Sequence, residues 1–134
     1  MTRINCVPVE TLCREHLIAE YRELPRVFAL AHKCNRPHPD APMSYTMGKG
    51  HVIFFYDKLE WVSDRFKQLV NEIQRRGYTT NYDGDVSEWR EKIKLKSMWK
   101  NWTPSSRDIF INQSRIDERL KDMKKWKVML LIFF

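Results

Sequence analysis

Residues 16–26 read HLIAEYRELPR, and the way these side chains sort around a helix sets the architecture. At about 100° per residue, Cys13, Leu17, Tyr21, Leu24 and Phe28 fall together as a core stripe. Glu15, His16, Ala19, Arg22, Glu23 and Arg26 share roughly 120° of the opposite arc. Glu23 is thus the central carboxylate among three potential cations, and the small Ala19 leaves a gap beside it. Arg22 and Arg26, one turn apart, are spaced to grip neighbouring phosphates. Pro25 has no N–H to donate and its ring crowds the preceding turn, so a kink is expected there.

Outward from that stretch, residues 3–8 read as a short extended arm. Pro8 suits a helix start, so the first helix is expected from about Val9 to Lys33. Residues 34–47 carry three prolines without periodicity and read as a loop. Gly48-Lys49-Gly50 reads as a tight turn. A second helix is expected to begin at a capping box of Asp57 and Glu60 and to stop at Gly77. Its buried stripe is Leu59, Val62, Phe66, Leu69 and Ile73. Residues 78–101 are polar, aromatic and aperiodic, with a turn at Asn81, Asp83, Gly84 and Asp85. Trp89, Trp99 and Trp102 are expected to pin this part to the core. A third helix is expected with Thr103 as N-cap and Pro104 as its first residue, burying Ile109, Ile116, Leu120 and Met123. Arg115 and Arg119 beside that stripe repeat the spacing of Arg22 and Arg26. The apolar tail, Trp126–Phe134, is expected to pack back on the body. The fold expected is all-α: one compact domain over residues 1–134, with three main helices, the first kinked at Pro25, and long irregular connections.

A chain of 134 residues is large enough for one core. Its net charge of +7 and pI near 9.5 favour a polyanionic partner. Two helices carrying arginine pairs narrow that to nucleic acid. Three cysteines, an odd number, do not suggest a disulfide framework, so a reducing cytoplasm is expected. The longest apolar run, 128–134, is too short to span a bilayer. His32, Cys34 and His38, with Cys6 or Cys13, match no zinc spacing, and no metal is expected. Gly48-Lys49-Gly50 lacks the remaining P-loop residues. His51 and Asp57 read as structural hydrogen-bonding groups.

Thr2 is small, so loss of the initiator methionine is expected to leave a free threonine α-amine. Such an amine has a reference pKa of about 7.7–8.0. Neighbouring arginines disfavour its ammonium form, and the neutral amine can attack an electrophilic carbon.

The opening Met-Thr-Arg-Ile-Asn, HLIAEYRELPRVF at 16–28, GHVIFFYDKLE at 50–60 and SRIDERL at 114–120 resemble, in register, the pyrimidine-dimer DNA glycosylase/AP lyase family of T-even bacteriophages and their viral relatives (endonuclease V type). The resemblance implies a small all-α repair enzyme acting on double-stranded DNA that contains cyclobutane pyrimidine dimers. It implies cleavage of the N-glycosidic bond of the 5′ pyrimidine, then strand breakage by β-elimination at the abasic sugar. The α-amine of Thr2 would be the nucleophile that forms an imine with the sugar, and Glu23 the essential carboxylate. Arg22 and Arg26 would hold phosphates, with Arg3 and His16 alongside. Arg115 matches a family arginine, and Arg119 stands where a lysine is usual. An imine needs no metal and no added cofactor. The DNA would be kinked and the base opposite the lesion flipped out, a deformation that is cheapest where stacking is already damaged.

Several positions depart from the family pattern. Glu15 replaces a glutamine, Phe66 stands where a second polar DNA contact would be expected, and the loop after the first helix is shorter. The tail reads KVMLLIFF from Lys127. A monomer is expected. A non-catalytic basic module recognising distorted duplex would keep the arginines without needing Thr2 or Glu23. A metal-dependent nuclease would need clustered carboxylates or histidines. Four to six phosphate contacts imply a log–log salt slope of about −4 to −5.

Overall fold

The computed structural model describes the backbone of residues 2–133 and, beyond Lys125, the side chains of Met129 and Leu131 alone. Five α-helices follow one another: α1 (Arg14–Glu23), α2 (Arg26–Cys34), α3 (Leu59–Arg75), α4 (Ser87–Lys92) and α5 (Ser106–Phe133). No strand occurs among the described residues. The all-α expectation holds, and α3, α5 and the α1–α2 pair are its three main helical segments.

The α1–α2 pair is the helix predicted to kink at Pro25. Leu24 and Pro25 both keep right-handed helical dihedrals. The bonding through the break is three residues back: Val27 N–H donates to Leu24 O at 3.0 Å and Phe28 N–H to Pro25 O at 3.2 Å. The missing proline N–H and the ring's bulk thus divide one helical path in two. Leu17, Tyr21, Leu24 and Phe28 of the predicted core stripe are buried, whereas Cys13, at the cap of α1, is half-buried.

The first helix begins later than expected. Val9–Thr11 forms only a 3₁₀ turn, and the chain then straightens at Leu12 and Cys13. The carbonyl of Leu12 accepts from the Arg76 guanidinium at 2.8 Å. With that partner supplied from the end of α3, the turn need not continue into α1.

Helix α3 packs on α1 along the predicted stripe, with Leu59, Val62, Phe66, Leu69 and Ile73 all buried. Phe66 therefore belongs to the core, against Tyr21 and Tyr82. The helix ends at Gly77, which has φ +91°. Tyr78 N–H donates to Ile73 O and Gly77 N–H to Gln74 O, a complete Schellman motif. The capping box at its start does not form. Asp57 instead pairs with the Lys58 ammonium at 2.9 Å, and Glu60 holds the Arg90 guanidinium through both oxygens.

The segment 78–101 is less irregular than its sequence suggests, because α4 forms within it and packs on α2. Trp89 and Trp99 both stack on Phe28, and Trp102 stacks on Tyr45 at 5.6 Å. The three tryptophans pin this segment as predicted. At Gly84 (φ +89°) a Cβ would lie 3.2 Å from the Lys67 backbone, so the chain passes close against α3.

The cap of α5, Ser105, lies two residues beyond the expected Thr103. Ser105 Oγ accepts from Asp108 N–H at 3.1 Å, and Asp108 Oδ2 in turn accepts from Ser105 N–H at 2.9 Å. A box needs an acidic residue three places after the cap. Ser105 has one in Asp108, whereas Thr103 is followed at that distance by Ser106. The buried face of α5 is Asp108, Asn112 and Ile116, with Leu120 and Met123 half-buried, so Ile109, 39% exposed, is not part of it. Met129 and Leu131 are exposed on the last turns. Packing of the rest of the tail against the body lies outside the described residues. No described helix is long and apolar enough to cross a membrane.

Candidate active site

The N-terminal arm, residues 2–7, is threaded between α1, α3, α5 and the turn at His51, and is almost wholly buried. An extended segment with no neighbouring strand must find other partners for its backbone groups. Here side chains supply them. Arg3 N–H donates to Glu23 Oε2 at 3.0 Å, and Ile4 N–H to His51 Nε2 at 2.9 Å. Cys6 and Val7 N–H groups both donate to Asn112 Oδ1. Ile4 O accepts from Tyr45 Oη at 3.0 Å, and Val7 O accepts from the Arg65 guanidinium.

Behind the arm lies a buried ion pair. Arg65 bonds to both oxygens of Glu20, at 2.8 and 3.0 Å, and both side chains are at most 3% exposed. Asn5 Nδ2 donates to Glu20 Oε1 at 2.8 Å, which ties the arm to this pair. The sequence reading missed Glu20, Arg65, Asn5 and Asn112. A signal existed for two of them: Glu20 and Arg65 each sit one turn from core residues, Leu17 and Val62, as opposite charges on two facing apolar stripes.

The arm's first bond fixes the site. With Arg3 N–H on Glu23, the Thr2 α-nitrogen, three covalent bonds away, lies within about 3.7 Å of that amide. Beside Glu23 is a cavity of about 100 Å³, lined also by Arg3, Asn5, His16, Ala19, Glu20 and Ile116. Ala19 thus provides the predicted gap. His16 Nδ1 is buried without a hydrogen-bond partner among the described residues.

The field here is positive. Burial first, and then Arg119 and Arg115, push the Arg3 guanidinium below its ordinary pKa, while Glu23 opposes them. The His16 imidazole is likewise lowered, by burial and then by Arg3, with Arg119 adding to it. The fold therefore draws Arg3, His16, Glu23, Arg115 and Arg119 into one neighbourhood. Arg115 has an ion pair to Glu118 at 3.6 Å. Arg22 and Arg26 do not line the cavity. They are exposed and make no ion pair among the described residues.

Other candidates for chemistry have structural roles. His51 is 3% exposed and bonded through both ring nitrogens, to Ile4 N–H and to Thr46 O. His32 leans on Trp89 and His38 on Tyr56. Burial pushes the Cys6 thiol up to about 12, away from the reactive thiolate form. Among the described residues no group of three metal-ligating side chains comes together. Glu15 is exposed and paired with Arg14 at 3.2 Å.

A carboxylate and a tethered chain end, set among arginines, suit attack on a sugar carbon flanked by phosphates. A family model described as pyrimidine dimer DNA glycosylase matches residues 1–85. The matched span takes in the arm, Glu23, α1 and α3, though not α5, and the chain belongs to the pyrimidine dimer DNA glycosylase family, which makes it a DNA repair enzyme.

Proposed function

We propose that this enzyme excises the 5′ pyrimidine of a cyclobutane pyrimidine dimer through an imine on the Thr2 amine and then nicks the abasic site by β-elimination. The observation that carries this reading is the 3.0 Å bond from Arg3 N–H to Glu23 Oε2. It tethers the chain end to the one carboxylate that lines the cavity beside the arginines without a salt-bridge partner among the described residues.

The steps follow from that placement. Removal of Met1, which lies outside the described residues, converts the Thr2 amide nitrogen into an amine. Arg3, Arg115 and Arg119 favour its neutral form. The amine nitrogen attacks C1′ of the 5′ nucleotide as the glycosidic bond breaks, and the base leaves with that electron pair and takes up a proton. Glu23 stabilises the positive charge that develops on the sugar. Ring opening gives the protonated imine. Glu23 then assists loss of a C2′ proton, the 3′ phosphate departs, and water hydrolyses the imine to free the enzyme. Every electron in this sequence comes from the amine, the sugar or water, so no metal and no cofactor is called for. Arg22 and Arg26 grip phosphates from their exposed positions, and Arg3, Arg115 and Arg119 neutralise those beside the sugar, with His16 alongside. The whole chain, 1–134, acts as one domain and as a monomer on double-stranded DNA.

The test is borohydride trapping on a duplex with one thymine dimer, in chelator, with an undamaged duplex as control. The Met1-processed protein should give a covalent adduct on the damaged duplex alone. Glu23→Gln should bind that duplex within a few-fold of wild type and trap at least about 100-fold more slowly. A processed protein that binds the damaged duplex and gives no adduct would leave a binding module and overturn the imine mechanism.

A further inference from the structure

We propose that Asn112 is a positioning residue that fixes the reach of the N-terminal arm into the Glu23 site. The proposal rests on the reading of Thr2 as nucleophile. Asn112 lies on α5, beyond the residues matched by the family model, and is fully buried. Its Oδ1 accepts from Cys6 N–H at 2.7 Å and from Val7 N–H at 3.1 Å. Its Nδ2 donates to Asn5 Oδ1 at 2.8 Å, and Asn5 passes the connection to Glu20.

This arrangement demands a carboxamide at this length. Two converging N–H groups need one oxygen with two free lone pairs, and the Asn5 carbonyl needs a donor from the same side chain. Aspartate cannot donate, and a serine hydroxyl cannot reach both sides. The other side chains that hold the arm come from α1, α3 and the segment 45–51. Among the described residues, the hydrogen bonds of Asn112 are the only ones that join the arm's backbone to α5, the helix that also carries Arg115 and Arg119.

The consequence is a ruler. Cys6 is four residues from Thr2, and one residue of slippage along an extended arm moves its end by about 3.3 Å. A displacement of about 1 Å at a reacting centre can cost on the order of 100-fold in rate. Because the pin is on α5, the helix that meets DNA through its arginines also sets where the amine lies. Asn112 touches neither cavity nor substrate, so its effect is on placement and not on affinity.

The experiment is single-turnover trapping at saturating Met1-processed protein, together with the Kd for the same thymine-dimer duplex. Asn112→Ala should trap roughly ten- to hundredfold more slowly with Kd within about twofold of wild type. Leu69→Ala, a core truncation on α3, serves as a matched loss of stability and should trap at the wild-type rate at a temperature where it is folded. Amide exchange adds a second readout. Cys6 and Val7 should exchange slowly in wild type and faster in the milder Asn112→Ser, whose trapping should also slow. Wild-type trapping with unchanged rates in both Asn112 variants overturns this proposal alone, as does equal slowing in Leu69→Ala. Absence of trapping by wild type overturns the Thr2 reading itself.

Discussion

Arg65→Met is expected to be among the most damaging single substitutions outside the site. Arg65 is 3% exposed and gives its guanidinium to both oxygens of Glu20 and to the carbonyl of Val7. Removing it leaves the Glu20 carboxylate, 1% exposed, with Asn5 as its one remaining donor among the described residues. Breaking a buried pair on one side costs about 3–5 kcal/mol, because the orphaned charge stays desolvated. For a chain of this length that corresponds to a fall in Tm of about 12–20 °C. The double variant Glu20→Met/Arg65→Met removes both charges and should regain part of the loss. It cannot regain all, since Val7 O and Asn5 Nδ2 then lose partners at about 1–3 kcal/mol each. Urea unfolding of the two single variants and the double closes the cycle. A loss below about 1 kcal/mol in Arg65→Met would refute the reasoning, and so would a double variant no more stable than the worse single.

Three further outcomes are expected. His51 and His16 are both held below the ordinary histidine pKa, chiefly by burial. The unfolded chain therefore binds more protons than the fold just below pH 6.5, and stability present above about 6.5 falls as pH drops through the lowered values. Melting curves from pH 7.5 to 5 should show this fall, flattened in His51→Gln, and a rise in Tm on acidification would contradict it. Arg22→Ala/Arg26→Ala should make the log–log salt dependence of duplex binding shallower by about 2, and an unchanged slope would remove both from the phosphate contacts. Ser105→Ala should cost about 1 kcal/mol by opening the α5 capping box, whereas Thr103→Ala should stay within about 0.5 kcal/mol in thermal unfolding.

Periodicity made much of the fold legible. The stripes of α1 and α3, the kink at Pro25 and the stop at Gly77 are local events, each decided by a few side chains and backbone dihedrals. The start of α1 was not legible, because it depends on Arg76, more than 60 residues away in sequence, taking the Leu12 carbonyl. The cap of α5 was legible in principle, since Asp108 singles out Ser105, but Thr103-Pro104 is the stronger superficial signal. Helix α4 lacks an apolar stripe of its own and has no buried residue, so its packing on α2 leaves no mark in periodicity. Of the site, Glu23, Arg3 and His16 were placed together by helical arithmetic and the resemblance. Asn112 was hidden because a polar residue on a helix reads as solvent-facing unless its partners are known. Its partners are backbone amides, which have no signature in sequence.

The same point explains why the arm is held as it is. Chain termini normally fray, because few contacts cross the ends. If the terminus carries the reacting atom, as proposed above, it has to be ordered to within about 0.5 Å. Apolar packing of Ile4, Cys6 and Val7 supplies burial, but it is non-directional and would tolerate slippage along the arm. Register has to come from directional bonds. A sheet would provide them through a neighbouring strand, and none occurs among the described residues. The arm instead takes partners from each surrounding element: Glu23 from α1, Arg65 from α3, Tyr45 and His51 from the segment before α3 and Asn112 from α5. Four independent elements fix a single register, and none can move without breaking a buried hydrogen bond. That arrangement predicts that loss of Glu23, His51 or Asn112, none of which orphans the buried Glu20–Arg65 pair, loosens the chain end before it unfolds the core. Amide exchange at residues 3–7 should therefore rise in each variant ahead of any change in α3, and a uniform rise across both would show that the arm and the core open as one unit.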